Sequence, residues 1–306
     1  MSFKKYAAAG VAVLIGTVLA GCAGNPLAAD KGNASSSTIA IGSAAFPENE
    51  LLGEIYAQAL EANGITVKRN FNIGARDIYL AALKDGSIDL LPEYTGALYS
   101  SLVKGGAPEG ATTSDEVYAA LQGVLPEGTQ TLPMSAAEDK DTLAVTPATA
   151  EKYNLKSLTD LAKVSKELTV GAGAGWDETY VGLVGLKKVY GIDFKAFKGL
   201  DSGGPLTLGA LLGDQIQVAN IYSTDAAIKT ENLVVLDDPK HLFHAENIVP
   251  LIRKDKATPA VSEALNAVSK ALTTENLTGY LAEVTVDKKD TASVAAKFLA
   301  DTGIKH

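Results

Sequence analysis

Residues 38–64, TIAIGSAAFPENELLGEIYAQALEANG, set the pattern of the chain: a short β-rich run, then a longer run of helical period closed by Asn63-Gly64. TIAIG has the apolar, β-branched character of a strand. Pro47 suits a helix start, where a missing N–H is harmless, and Leu51, Leu52, Ile55, Ala59 and Leu60 then share one face. Residues 65–91, ITVKRNFNIGARDIYLAALKDGSIDLL, repeat the order: strand ITVKRNFN, a helix through Ile78, Leu80, Ala82 and Leu83 stopped at Asp85-Gly86, and strand SIDLL. A βαβαβ succession predicts a parallel sheet whose working loops lie at the carboxyl ends of its strands.

The middle third continues with TLAVT, helical SLTDLAKV, strand ELTVGAG, helices TYVGLVGLKKVYG and PLTLGALLG, and strands QVANIY and LVVL. A second α/β lobe is expected from it. After strand NIVPLIRKD come three helices: 259–271, with Val261, Leu265, Val268 and Leu272 in register, then about 274–284 and 290–302. Lacking strands of their own, these are expected to pack on the first lobe. The chain would cross between lobes near Leu143 and near Asn247, and two crossings make a hinge. The fold class read from this is α/β, with lobe 1 at 39–142 and 247–306 and lobe 2 at 143–246.

The 306 residues, 46% hydrophobic, suffice for one or two cores. A formal charge of −9 argues against a nucleic-acid partner, which needs a Lys/Arg surplus, and favours a cationic one. The first 22 residues, MSFKKYAAAGVAVLIGTVLAGC, join Lys4 and Lys5 to an apolar run from Ala7 to Leu19. A transmembrane helix is the competing reading, but the run falls short of the roughly 20 residues a bilayer core requires. A secretory signal fits better. Leu-Ala-Gly before Cys22, the only cysteine, resembles a bacterial lipobox, which implies lipidation of that thiol and a lipid-anchored protein on the extracytoplasmic face of the cell membrane. Removing the leader leaves 25 basic residues against 36 acids, a charge of −11, and no cysteine for a disulfide. Residues 23–38, AGNPLAADKGNASSST, read as a flexible tether.

Several motifs invite catalytic readings. Asp201-Ser202-Gly203-Gly204-Pro205 matches the surroundings of a serine-protease nucleophile, yet His241, His244 and His306 all follow Ser202, and the α/β alternation contradicts a double β-barrel. A Gly-rich turn before a helix opened by Pro205 is the simpler reading. Gly171–Gly175, GAGAG, lies between strand and helix as a phosphate loop would, but Trp176 follows and no GK[ST] does. Glycines there instead let backbone amides and Trp176 border a cleft. His241 and His244 are three apart without a third ligand at a recognised spacing, so neither metal nor cofactor is expected. No complete catalytic constellation emerges, and a secreted serine hydrolase remains only as the distant alternative.

IAIGSAAFPENELLGEIYAQALEANG, IGARDIYLAALKDGSIDLLPEYTGAL, DKDTLAVT, GLKKVYG, VANIYSTDAAI and LDDPKHLF before NIVP occur in this order along nearly the whole mature chain. Together they resemble the glycine betaine/choline (osmoprotectant) substrate-binding proteins of ABC importers. The resemblance implies a type II periplasmic-binding-protein fold, two α/β lobes on a two-strand hinge, a monomer that binds without catalysis, and an ABC permease with its ATPase as membrane partners.

Relatives hold a quaternary ammonium in a cage of tyrosines. By motif position Tyr94 in PEYTG, followed by Thr95, and Tyr222 in IYSTD match two of them. Such a cation offers no strong hydrogen bond and is recognised by ring quadrupoles, at about 0.5–2 kcal/mol per face. Pro92 is expected to brace Tyr94, and Gly96 to turn the backbone away and leave the ring facing the cleft. Two other cage positions fall on Asp141 and on Glu246 of FHAEN. Asn49 stands where relatives with SxxFTEQ carry glutamine, and Asp77 where relatives vary between threonine and aspartate. Facing a cleft, Asp77, Asp141 and Glu246 would hold a cation and repel a ligand carboxylate, which favours a choline-like alcohol or another cationic amine over a betaine, unless Arg76 offsets them. The competing reading of each acid is a solvated rim carboxylate, and of each tyrosine a core aromatic. Trp176 and Tyr222 are expected from the second lobe, Asn49, Asp77 and Tyr94 from the first.

Overall fold

The computed structural model describes residues 38–103 and 111–305. The leader, the lipidation candidate Cys22, the tether up to residue 37 and His306 lie outside the described residues. Ten strands are present among the described residues: β1 (Ile39–Gly42), β2 (Val67–Asn70), β3 (Leu90–Tyr94), β4 (Thr129–Thr131), β5 (Asp141–Val145), β6 (Thr169–Gly173), β7 (Ala196–Leu200), β8 (Val218–Tyr222), β9 (Val234–Val235) and β10 (Ile248–Arg253). They form two five-stranded sheets, ordered β2-β1-β3-β10-β4 and β7-β6-β8-β5-β9.

β1 lies parallel to both β2 and β3, as the βαβαβ order predicts. Each sheet is nevertheless mixed, because the chain leaves it at one rim and must re-enter from that same rim. Ile248, the first residue of β10, sits opposite Tyr94, the last of β3, so β10 runs antiparallel to it. Likewise Asp141 at the start of β5 faces Tyr222 at the end of β8. Both reversals put chain crossings beside strand ends, where side chains from the two sheets can meet.

The helices are α1 (Pro47–Ala62), α2 (Arg76–Asp85), α3 (Thr95–Leu102), α4 (Ser114–Gln122), α5 (Pro147–Tyr153), α6 (Leu158–Val164), α7 (Leu183–Gly185), α8 (Pro205–Leu212), α9 (Ala227–Thr230), α10 (Pro259–Ala271), α11 (Thr274–Thr285) and α12 (Thr291–Thr302). Leu51, Leu52, Ile55 and Leu60 of α1 share one core with Val261, Leu265 and Val268 of α10, Leu277 of α11 and Phe298 of α12. The three final helices therefore cover the first sheet, as their missing strands suggested. The second sheet has its own cores, one holding Leu143, Leu161, Val170 and Val218, another Ala144, Leu211 and Ile221.

Residues 179–191, expected as a single helix, instead form the short α7 and a π-helical turn, Leu186–Tyr190. Gly182 and Gly185 explain this: a Cβ on them would stand 1.7 Å from the Trp176 carbonyl oxygen and 1.9 Å from that of Tyr180, so the chain coils back onto 176–180. The run SIDLLPEY is strand through Tyr94, and Thr95 opens α3 directly. Pro92 is tolerated because it pairs with Pro250, two residues without an N–H facing one another. Gly96 is thus helical rather than a turn, and its role is to leave space, since a Cβ would lie 2.8 Å from Glu246 Oε1 and from the Ala245 carbonyl oxygen.

Candidate functional site

A cavity of about 950 Å³ opens between the two sheets. The crossings form its floor. Asp139 donates its N–H to the Glu246 carbonyl at 3.1 Å, and Ser223, just past β8, bonds to both Glu138 and Lys140, tying the crossings to the second sheet. The start of α1, Arg76 and Tyr94 wall one side, and the Ser202–Pro205 turn with Tyr222 and residues 224–226 walls the other.

Tyr222 ends β8 with its ring 36% exposed toward this space. Burial, with Asp141, Asp139 and Glu246 around it, pushes its phenol up to about 12, so it stays neutral. Tyr94 ends β3 but is only 6% exposed; its ring stacks on Phe46 at 6.1 Å and its hydroxyl donates to Glu48 Oε1 at 2.8 Å. It lines the cleft and also belongs to the first sheet's core.

The carboxylates come from the crossings and the strand rims. Asp141 accepts a hydrogen bond from Asn220 Nδ2 at 2.8 Å, and burial holds its carboxyl above the usual range. Glu246 accepts the Ala97 N–H at 2.8 Å, at the start of α3, in the space left by Gly96. Loss of water pushes Glu246 up to about 8, against the Ala97 N–H and Arg76, which favour its charge. Asp139 accepts the Thr224 hydroxyl at 2.7 Å and is raised by burial to about 6. Glu48 is raised well above its ordinary value by burial and then by Asp139.

Arg76 lies near enough to favour the charge of Glu246 but offsets these acids only in part. It is spent on Glu93, fully buried on β3, through bonds of 3.0 and 3.1 Å, with Tyr79 donating to the same carboxylate at 2.8 Å. The cleft therefore keeps an acidic floor beneath apolar flanks such as Phe46, Leu208 and Leu281. This combination suits a small cation with an apolar surface.

Of the residues singled out in the sequence, Tyr94, Asp141, Tyr222 and Glu246 line one cavity; the other four lie elsewhere. Asn49, 1% exposed, points inward, accepting the Ala44 N–H at 2.7 Å and donating to the Pro92 carbonyl at 3.1 Å. It braces the loop beneath the site. Asp77 is exposed on the first turn of α2, outside the lining, where Arg76 faces inward instead. Thr95 is buried, donating to the Ala245 carbonyl and accepting the Asn247 N–H, so it clamps β3 to the returning crossing. Trp176 is buried in the second sheet's core, stacked on Phe197 at 6.5 Å, and the GAGAG loop does not border the cleft.

Glu48 and Asp139 were not singled out. Glu48 precedes Asn49 in the first turn of α1, and adjacent helical residues point about 100° apart, so the motif marked the place but not the face. Asp139 lies two before Asp141, a spacing that puts side chains of an extended segment on one side. Asp201 caps α8, accepting the Leu206 and Thr207 N–H groups at 3.0 and 2.8 Å, and among the described residues no histidine bonds to Ser202. Among them, too, no cluster of His, Cys, Asp or Glu is arranged to hold a metal.

Residues 37–301 match the family described as the substrate binding domain of ABC-type glycine betaine transport systems, OpuAC. The chain is similar to the carnitine transport binding protein OpuCC of Listeria monocytogenes, 29% identical over 88% of each chain. It is also similar to the glycine betaine-binding protein YehZ of Escherichia coli, 26% identical over 88% of this chain and 92% of that one. Among solved structures, the crystal structure of a glycine betaine/carnitine/choline ABC transporter superposes with a TM-score of 0.79 at 25% identity, covering 88% of this chain and all of that one.

Proposed function

Because the chain belongs to the family of substrate-binding domains of ABC-type glycine betaine transport systems, we propose that it captures a small quaternary-ammonium solute in the cleft between its two sheets. As a member of that family it is a solute-binding protein, not an enzyme, and works outside the cytoplasm for an ABC transporter. The observation that carries the proposal is the convergence of Tyr222 and Tyr94 with Asp141 and Glu246 on one cavity. The rings supply faces for a cation that donates no hydrogen bond, and the acids supply its countercharge.

In this reading residues 39–142 and 247–306 form one lobe and 143–246 the other. They close by rotation about the paired crossings. Apart from the family assignment, lipidation of Cys22, a monomeric state and delivery to a permease with its ATPase complete the proposal. Among the described residues no helix is long and apolar enough to cross a membrane. Mass spectrometry of the membrane-extracted protein should find a lipid on Cys22, and Cys22→Ala should release it into the medium.

A second reading keeps the fold and changes the guest. Asp141 and Glu246 stand where the resemblance expects tyrosines, and carboxylates bond to amines that carry N–H groups. Thermal melting against choline, glycine betaine, carnitine, tetramethylammonium and primary amines decides between them, since a true ligand raises the midpoint. Quaternary cations should shift it. Shifts from primary amines alone would replace the first reading with the second.

A further inference from the structure

The rings and acids of the cleft make up only part of its lining, and much of the rest is apolar and holds no charge. Phe46 is 39% exposed, Leu208 and Val284 are half-buried, and together with Pro205, Ala226 and Leu281 they line the same cavity. These residues come from both halves of the chain. Leu281 and Val284 lie three apart on α11, and Pro205 and Leu208 three apart on α8, so each helix offers a pair on one face. Val284 rests on the core of the first sheet and Leu208 on a core of the second, which gives both flanks a firm backing. Phe46 stacks on Tyr94 at 6.1 Å, so the apolar surface runs on from an aromatic ring of the cation site. At about 950 Å³ the cleft offers far more room than a choline-sized cation fills and matches the upper range for drug-sized ligands. Apolar surface kept in water on both walls of a cleft is unfavourable until something apolar covers it.

We propose that Phe46, Leu208, Leu281 and Val284 form an apolar subsite beside the cation site, so that the cleft takes quaternary ammonium ions carrying an apolar substituent larger than a methyl group. The inference rests on the cation-binding reading above and extends it to a class of larger guests. A fully buried methylene is worth about fourfold in affinity, so a chain that is half covered by the flanks still gains more than tenfold over several carbons. The competing use of the same residues is to press on one another as the two halves close. A chain lying between them would then hold the halves apart and weaken binding.

Calorimetric titration of the purified protein with tetramethylammonium, n-hexyltrimethylammonium, choline and 1-hexanol tests this, because the first two share the cation and differ in the chain, and the alcohol keeps the chain without the cation. Wild type should bind the hexyl cation at least tenfold more tightly than tetramethylammonium. A smaller ratio, including weaker binding of the hexyl cation, overturns the subsite and leaves the cation reading standing. Binding of 1-hexanol as tight as that of the hexyl cation also overturns it, since the chain would then bind without its neighbouring charge. Binding of none of the three cations overturns both readings. Leu208→Ser combined with Val284→Ser should cut the hexyl-to-tetramethyl ratio at least threefold, and a folded double variant that keeps the full ratio overturns the assignment to these flanks. The wild-type comparison needs no variant, so a double variant that fails to fold leaves the test intact.

Discussion

Replacing Glu246 by Gln should weaken cation binding in a manner that depends on pH. The variant keeps the shape of the side chain and an oxygen for the Ala97 N–H, so α3 and the crossing stay in place. At 4–5 Å and an effective dielectric near 20, an ionised Glu246 attracts a bound cation by about 3–4 kcal/mol. Burial holds this carboxyl at about 8, so ionising it at pH 7 costs about 1.4 kcal/mol of that gain. The remainder, about 2–3 kcal/mol, corresponds to a roughly 30- to 150-fold loss of affinity in the variant. Between pH 7 and 9 the ionised fraction rises about tenfold, so wild-type affinity should climb by about that factor while the variant stays nearly flat. Isothermal titration calorimetry with choline at both values measures it. Binding by the variant within threefold of wild type at pH 9, or the same tenfold rise persisting in it, would refute the reasoning.

Tyr222→Ala should lower affinity by about tenfold and leave the melting temperature nearly unchanged, because the ring stands at the cleft surface and its loss removes a cation–π face of about 1–2 kcal/mol; calorimetry beside a thermal melt checks both. Arg76→Met should destabilise the fold by about 3–5 kcal/mol by stranding the fully buried Glu93 carboxylate, measured by urea denaturation. The unliganded protein should melt at a higher temperature at pH 5 than at pH 8. Glu246 and Asp139 have folded-state values raised to about 8 and about 6, so the stability they contribute is complete below their unfolded values near 4 and is lost as pH rises through the raised ones. A melting temperature that climbs over this interval would contradict that linkage.

The first lobe's strand–helix alternation is legible because short apolar runs in β1 and β3 flank helices such as α1 that carry a helical period and are bounded by Pro and Asn-Gly or Asp-Gly signals. The final helices are legible for the same reason. Residues 179–191 are not, since what breaks that helix is the contact of Gly182 and Gly185 with carbonyl oxygens of 176 and 180, a tertiary effect with no periodic trace. The direction of β10 also escapes a local reading, as it depends on the rim at which the chain returns. For the site, motif positions lead to the correct stretches but do not say which neighbour faces the cleft. Asn49 turns inward while Glu48 lines the cavity, and Asp77 points outward while Arg76 turns toward Glu93. Trp176 disappears into a core, where it stacks on Phe197, and nothing in the local motif signals that partner.

The claim on which everything else depends is that aromatic rings and carboxylates from both halves of the chain gather round one cation. A crystal structure of the protein grown with choline tests it most directly. The account predicts the ammonium within about 6 Å of the Tyr222 ring and flanked by Asp141 and Glu246. Choline bound elsewhere, or an ammonium that touches neither the ring nor the two carboxylates, would contradict it.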